Sequence, residues 1–203
     1  MAGEWIATVG DPKQLGPLIS GEFLKGKREP RVAMVGRSNV GKSSLINAIL
    51  GQRLAQVSAE PGKTRLIHFY SWLEGGKIIA DLPGYGFARA SHSERDKWAK
   101  LIQAYMKADL NLRLALLLLD ARHGPTELDQ EAFYFLRDGG MPVQVVFTKL
   151  DALKTQKERA DRKRDASSLL EQMGLDPEDA AWVSSKTGDS LSYLFKRIRE
   201  AGQ

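Results

Sequence analysis

Cysteine is absent from the 203 residues, and histidine occurs only three times. The first absence excludes disulfides and thiolate metal sites, and it agrees with a cytoplasmic protein. Long apolar runs are also missing. The longest, at residues 114–119, is far short of the ~20 residues of a membrane-spanning helix and suits a buried strand. The N-terminus has no basic start followed by an apolar stretch, so no secretory signal is expected. There is no internal repeat and no low-complexity tract. What remains is 42% hydrophobic and 27% charged with a net charge of +5, the balance of a soluble globular domain with a modest basic excess. The excess permits acidic or nucleic-acid partners and proves none.

From Arg31 onward the pattern alternates between short apolar runs and helical stripes. "RVAMVG", "RLIHFYSW", "KIIAD", "RLALLLLD", "PVQVVFTK" and "AWVSS" read as six strands. Trp98, Leu101, Ile102 and Tyr105 mark one helix face; Leu128, Ala132, Phe135 and Leu136 another; Ala166, Leu169, Leu170 and Met173 a third; Leu191, Leu194, Phe195 and Ile198 the last. Strands alternating with helices predict an α/β fold in three layers, a mostly parallel six-stranded sheet covered on both faces. Ligands of such sheets sit at the carboxyl ends of the strands. Residues 1–30 show no clear period and read as an N-terminal extension, leaving 31–203 as the domain.

Four motifs fall at those strand ends. Residues 36–43, "GRSNVGKS", fit the phosphate-loop pattern G-x-x-x-x-G-K-[ST]. Its backbone N–H groups can turn inward around phosphates, the helix start adds positive potential, Lys42 can reach the β- and γ-phosphates, and Ser43 can ligate Mg²⁺. Residues 21–28, "GEFLKGKR", nearly repeat the pattern, but Arg28 replaces the hydroxyl and no strand precedes them, so a basic surface segment is expected. The second motif is "DLPG", Asp81 to Gly84. Asp81 can hold Mg²⁺ through water, and the Gly84 N–H can meet the γ-phosphate. Asp120 also ends a strand, but without the Pro-Gly turn it is expected to shape a turn or a partner surface. The third, "TKLD" at 148–151, places Asp151 to accept from guanine N1–H and the 2-amino group, a pair adenine does not offer. The Lys149 stem can cover the base face. Thr148 stands where asparagine is usual, which leaves the bracing of this loop open. The fourth is "SSK" at 184–186, where the Ser185 N–H can meet guanine O6. Between the first two motifs, Thr64 in "EPGKTR" either completes Mg²⁺ coordination or belongs to a plain surface turn.

"GRSNVGKSSLINAIL", "PGKTRLIHFY", "DLPGYGFA", "KWAKLIQAYM", "DARHGPTELDQ" and "TKLD" together resemble the EngB/YihA (YsxC) family of bacterial ribosome-biogenesis GTPases, within the TrmE-Era-EngA-EngB-Septin-like superfamily. The likeness runs from about Arg31 to the C-terminus. It implies a single Ras-like P-loop domain, GTP/GDP and Mg²⁺ binding, slow GTP hydrolysis, a role in assembling the large ribosomal subunit, and a need for the protein in normal cell division and septation. It carries nucleotide contacts onto Gly36, Arg37, Ser38, Asn39, Val40, Gly41, Lys42 and Ser43; onto Gly62, Lys63, Thr64, Arg65 and Leu66; onto Asp81, Leu82, Pro83 and Gly84; onto Thr148, Lys149, Leu150 and Asp151; and onto Val183, Ser184 and Ser185. Lys42 and Thr64 are the expected catalytic residues, and Ser43, Thr64 and Asp81 the expected Mg²⁺ ligands. A monomer, with the large ribosomal subunit as partner and no membrane association, is expected.

Tyr85 occupies the position where many nucleotide hydrolases keep a water-holding glutamine. A phenol offers no paired amide donor and acceptor, so slow hydrolysis is expected, with Tyr85 in a mobile segment as a docking contact. Either a partner's polar group or K⁺ held through Asn39 can supply what is missing; Asn39 can equally be a loop-bracing amide. The basic segments "KGKREPR", "KTQKERADRKR" and "FKRIRE" are readable as an RNA-facing surface or as solvated faces. A nucleotide-binding scaffold, or a GTPase of another RNA-linked system, is the alternative reading.

Overall fold

Strand residues alternate between two apolar clusters, as a sheet buried on both faces requires. In β2 (Arg31–Gly36), Val32 and Met34 face one cluster, and Ala33 and Val35 the other. The structure, a computed structural model, describes residues 3–20, 29–56, 66–86 and 92–201. The remaining strands are β1 (Glu4–Val9), β3 (Ile67–Trp72), β4 (Lys77–Asp81), β5 (Leu112–Asp120), β6 (Val143–Thr148) and β7 (Ala181–Trp182). The helices are α1 (Pro12–Ser20), α2 (Lys42–Leu50), α3 (His92–Ala108), α4 (Glu127–Asp138), α5 (Gln156–Gln172) and α6 (Leu191–Glu200).

The sheet has seven strands in the order β1-β3-β4-β2-β5-β6-β7, one more than the sequence pattern predicts. The five from β4 to β7 run parallel; β3 is antiparallel to β4. The extra strand comes from the segment read as an extension. β1 pairs antiparallel with β3, buries Ala7 and Val9, and leads into α1, whose Leu15 joins the core. The domain therefore takes up part of residues 1–30, while the near-repeat at 21–28 lies outside the described residues. Helices α2 and α6 cover one face of the sheet, and α1, α3, α4 and α5 the other.

Two details of side-chain placement depart from the sequence pattern. The buried stripe of α4 is Asp129, Ala132, Phe133 and Leu136, so Phe133 fills the core position expected for Phe135, and a carboxylate sits among apolar residues. At the foot of β2, Arg31 is 1% exposed and ion-paired with the equally buried Asp109. The last residue of the basic stretch "KGKREPR" thus ties β2 to the end of α3, and it is not part of a basic surface.

Candidate functional site

The carboxyl end of β2 opens into the phosphate loop. Gly41 has φ +104°, a left-handed conformation that costs a side-chain-bearing residue 1–2 kcal/mol or so, and it caps α2. The first turn of α2 carries no acidic residue, so the positive end of its dipole stays unneutralised. Asn39 is also left-handed, at φ 63°. The neighbouring strand β4 ends at Asp81, which is 4% exposed and ion-paired with the Lys42 ammonium. Register places His68 of β3 directly across from Asp81, and the His68 imidazole shares a 2.8 Å hydrogen bond with the Thr8 hydroxyl. Burial lowers the pKa of His68, with the Asp81 charge opposing and the Lys42 charge assisting. Burial, helped by Asp81, raises the Tyr70 phenol to about 12.

After Asp81 the chain turns back onto the phosphate loop. The Ser38 N–H donates to the Tyr85 carbonyl at 3.1 Å, and the Tyr85 N–H to the Gly36 carbonyl at 3.3 Å. The approach is close at Gly84, where a Cβ would lie 3.1 Å from Ser38 Oγ and 3.2 Å from its backbone N. Pro83 accepts a 2.7 Å hydrogen bond from the Trp98 indole N–H. Tyr85 departs from expectation. The residue is 9% exposed, its ring packs edge-on against Trp98 at 5.8 Å, and its hydroxyl donates to Asp129 Oδ1 at 2.7 Å. Burial, reinforced by Asp129, holds the phenol well above its ordinary pKa, so it stays a donor. In this conformation Tyr85 is a core residue and not an exposed docking contact.

β6 brings the base-side motif to the same rim. The Thr148 hydroxyl donates to the Val40 carbonyl at 2.5 Å and lies 3.1 Å from the Leu119 carbonyl. The residue that replaces the usual asparagine thus braces this loop directly against the phosphate loop. Lys149, left-handed at φ 60°, donates to the Asn39 carbonyl at 2.5 Å and to Asp120 at 2.9 Å. Burial pushes the Asp120 pKa up, but hydrogen bonds from Arg122, Lys149 and the Arg122 backbone outweigh it and hold the carboxylate well below its ordinary range. Asp120 therefore shapes its own turn, as expected, and also anchors Lys149, which sequence reasoning missed. Asp151 Oδ1 accepts from the Ser184 hydroxyl at 2.7 Å, and Ser184 Oγ in turn accepts from the Lys186 and Thr187 N–H groups. The Val183 N–H reaches the Phe147 carbonyl, and the Leu150 N–H the Val183 carbonyl, so the third and fourth motifs form one unit with half-buried Ser185 beside them.

The structure thus gathers Gly36 to Ser43, Asp81 to Gly84, Thr148 to Asp151 and Val183 to Ser185 at one end of the sheet. Leu66 is described and exposed just before β3; Gly62, Lys63, Thr64 and Arg65 lie outside the described residues. The oxygen donors Ser43 and Asp81 fit a hard cation such as Mg²⁺. Among the described residues no three His, Asp or Glu converge. The Asp129 contact was also missed. Its one signal in the sequence is an acid on the apolar stripe of α4, three residues after a capping threonine.

Residues 31–149 match the family described as 50S ribosome-binding GTPase. A probable GTP-binding protein EngB of Oleidesulfovibrio alaskensis is 44% identical over 178 residues, covering 87% of this chain and 79% of the relative. Its counterpart in Desulfovibrio desulfuricans is 46% identical over 179 residues, covering 88% and 86%. A crystal structure of a probable GTP-binding protein engB superposes with a TM-score of 0.65 at 27% identity, covering 84% of this chain and 97% of that one. A tyrosine-to-alanine variant of Aquifex aeolicus Era, bound to GDP and aluminium fluoride, superposes with a TM-score of 0.66 at 23% identity, covering 84% and 56%; that likeness concerns the fold.

Proposed function

The chain belongs to the EngB family of GTP-binding proteins, and on that premise we propose that it is a GTP-hydrolysing switch in assembly of the large ribosomal subunit, acting in the cytoplasm and needed for normal cell division and septation. The observation that carries the nucleotide reading is the convergence of the phosphate loop, the Asp81–Gly84 turn and the Asp151 loop, with Thr148 bonded to the Val40 carbonyl. The ribosomal part rests on the family description of residues 31–149.

In this reading the inward N–H groups from Gly36 to Ser43 hold the phosphates, and Asp151 reads guanine. Lys42 exchanges Asp81 for the β- and γ-phosphates. Gly84 donates its N–H to the γ-phosphate, and Ser43, Thr64 and Asp81 would hold Mg²⁺. Mg²⁺, when bound, neutralises charge on the phosphate oxygens. K⁺ at Asn39 is the proposed supplement for the missing glutamine. The Asn39 contact with Lys149 uses the backbone carbonyl, so it does not occupy the side-chain amide.

Cosedimentation with isolated ribosomal subunits in GTP and in GDP tests the partner, and phosphate release in K⁺ and in Na⁺ tests the supplement. Nucleotide-dependent association with the large subunit is the expected result. Equal association with both subunits, or with neither, overturns the assembly role and leaves a GTPase of another system.

A further inference from the structure

The Asp81–Gly84 turn is held by a side chain that the nucleotide reading does not use. Trp98 lies on the buried side of α3, wedged between Tyr85 at 5.8 Å and Phe135 at 5.7 Å between ring centres. Its indole N–H donates to the Pro83 carbonyl at 2.7 Å. Every peptide bond in the described residues is trans. A trans peptide is a rigid plane in which the carbonyl and the following N–H point in opposite directions. The Pro83 carbonyl and the Gly84 N–H belong to one such plane. Fixing the first therefore fixes the second, and the Gly84 N–H cannot turn away without breaking the indole bond. Gly84 is a buried residue, and its N–H has no acceptor among the described residues. On the far side of the plane, Tyr85 is bonded to the phosphate loop, so rotation is restrained from both ends.

We infer that Trp98 is a positioning residue for γ-phosphate recognition: by holding the Pro83 carbonyl it aims the Gly84 N–H at the place where the terminal phosphate of GTP arrives. The inference rests on the reading of Gly84 given above. A preorganised donor loses nothing to reorientation when the phosphate binds or when charge grows on it during hydrolysis. GDP has no γ-phosphate, so its affinity is independent of Trp98. The residue therefore acts on the difference between the two nucleotides, and a residue that merely stabilised the fold would move both alike.

The test is Trp98→Phe, which keeps an aromatic ring beside Tyr85 and Phe135 and removes the donor together with part of the ring. Equilibrium binding of GDP and of a non-hydrolysable GTP analogue is measured in Mg²⁺ for both proteins, together with single-turnover hydrolysis. The expected result is GDP affinity within about twofold of the parent, analogue affinity lower by about three- to tenfold, the weight of one hydrogen bond, and hydrolysis slower by at least that factor. If the smaller ring unfolds the chain, 3-benzothienylalanine at position 98, which puts sulfur in place of the N–H at the same shape, is read by the same measurements. Equal loss for both nucleotides, or none for either, overturns the role of Trp98 while the GTPase reading stands. A parent protein that binds neither nucleotide overturns the reading beneath it and the inference together.

Discussion

Tyr85 is the residue whose surroundings most change its meaning. Its hydroxyl supplies Asp129 Oδ1, while the Thr126 N–H and hydroxyl supply the other carboxylate oxygen. Tyr85→Phe strands one oxygen of a buried acid, so unfolding in urea should show a loss of about 1–3 kcal/mol. Basal hydrolysis should change by less than about tenfold, because a hydroxyl committed to Asp129 is not holding a water. An unchanged urea midpoint would mean that the bond carries no weight. Lys42 likewise has a second duty. Besides its expected role at the phosphates, it neutralises Asp81 in a nearly closed site. Lys42→Ala should abolish GTP binding and also lower the stability of the nucleotide-free protein, since an unpaired buried carboxylate is costly. A variant that folds as stably as the parent yet binds no nucleotide would confine the lysine to ligand binding.

Among the elements, the β5–β6 rim offers a clear separation of affinity from chemistry. Asp120→Asn removes the charge paired with Lys149, the lysine expected to cover the base, while the β4 turn is untouched. GTP and GDP affinities should fall together by a few-fold, with the single-turnover rate of bound GTP unchanged; a rate loss would place Asp120 in the chemistry. Strand β3 carries a pH signature. Burial lowers the folded-state pKa of His68 below its ordinary 6.5. The unfolded chain then takes up a proton at a pH where the folded chain does not. This contribution to stability is whole above pH 6.5 and is lost as pH falls from there through the lowered value. The urea midpoint of the parent should drop more steeply between pH 7.5 and 5.5 than that of His68→Asn. Elements of this kind differed in how far they could be read in advance. The phosphate loop, the Asp81 turn and the TKLD loop were legible because their chemistry demands particular residues at fixed spacing. Strand β1 was not, because "EWIATV" has weak apolar alternation and its pairing with β3 is set by distant sequence. Asp129 carried no reading of its own and Asp120 was expected only to shape a turn or a partner surface, since their partners, Tyr85 and Lys149, arrive only through the fold.

For the molecule as a whole, formal charge overstates the free basic surface. Arg31 is buried, Arg197 pairs with Asp179 and Gln144, and Arg199 pairs with Glu74 while lying over Trp72. Along α5, Arg162 and Arg164 have acidic neighbours within one turn. The proposed ribosome binding, where it engages RNA, should still weaken as salt rises, since any lysine or arginine that meets a phosphate releases counterions, but with a shallow slope. Cosedimentation across a salt series measures it, and association indifferent to salt would indicate an apolar contact with ribosomal protein. The sheet edge has a consequence of its own for how the chain is made. Thr8 and His68, hydrogen-bonded across β1 and β3, are 60 positions apart. At roughly 5–20 residues per second of synthesis, β1 is in existence for about 3–12 s before its partner strand is available. During that interval the first strand has no place in the sheet, and β3 can pair with β4, its sequence neighbour, before β1 returns to close the edge.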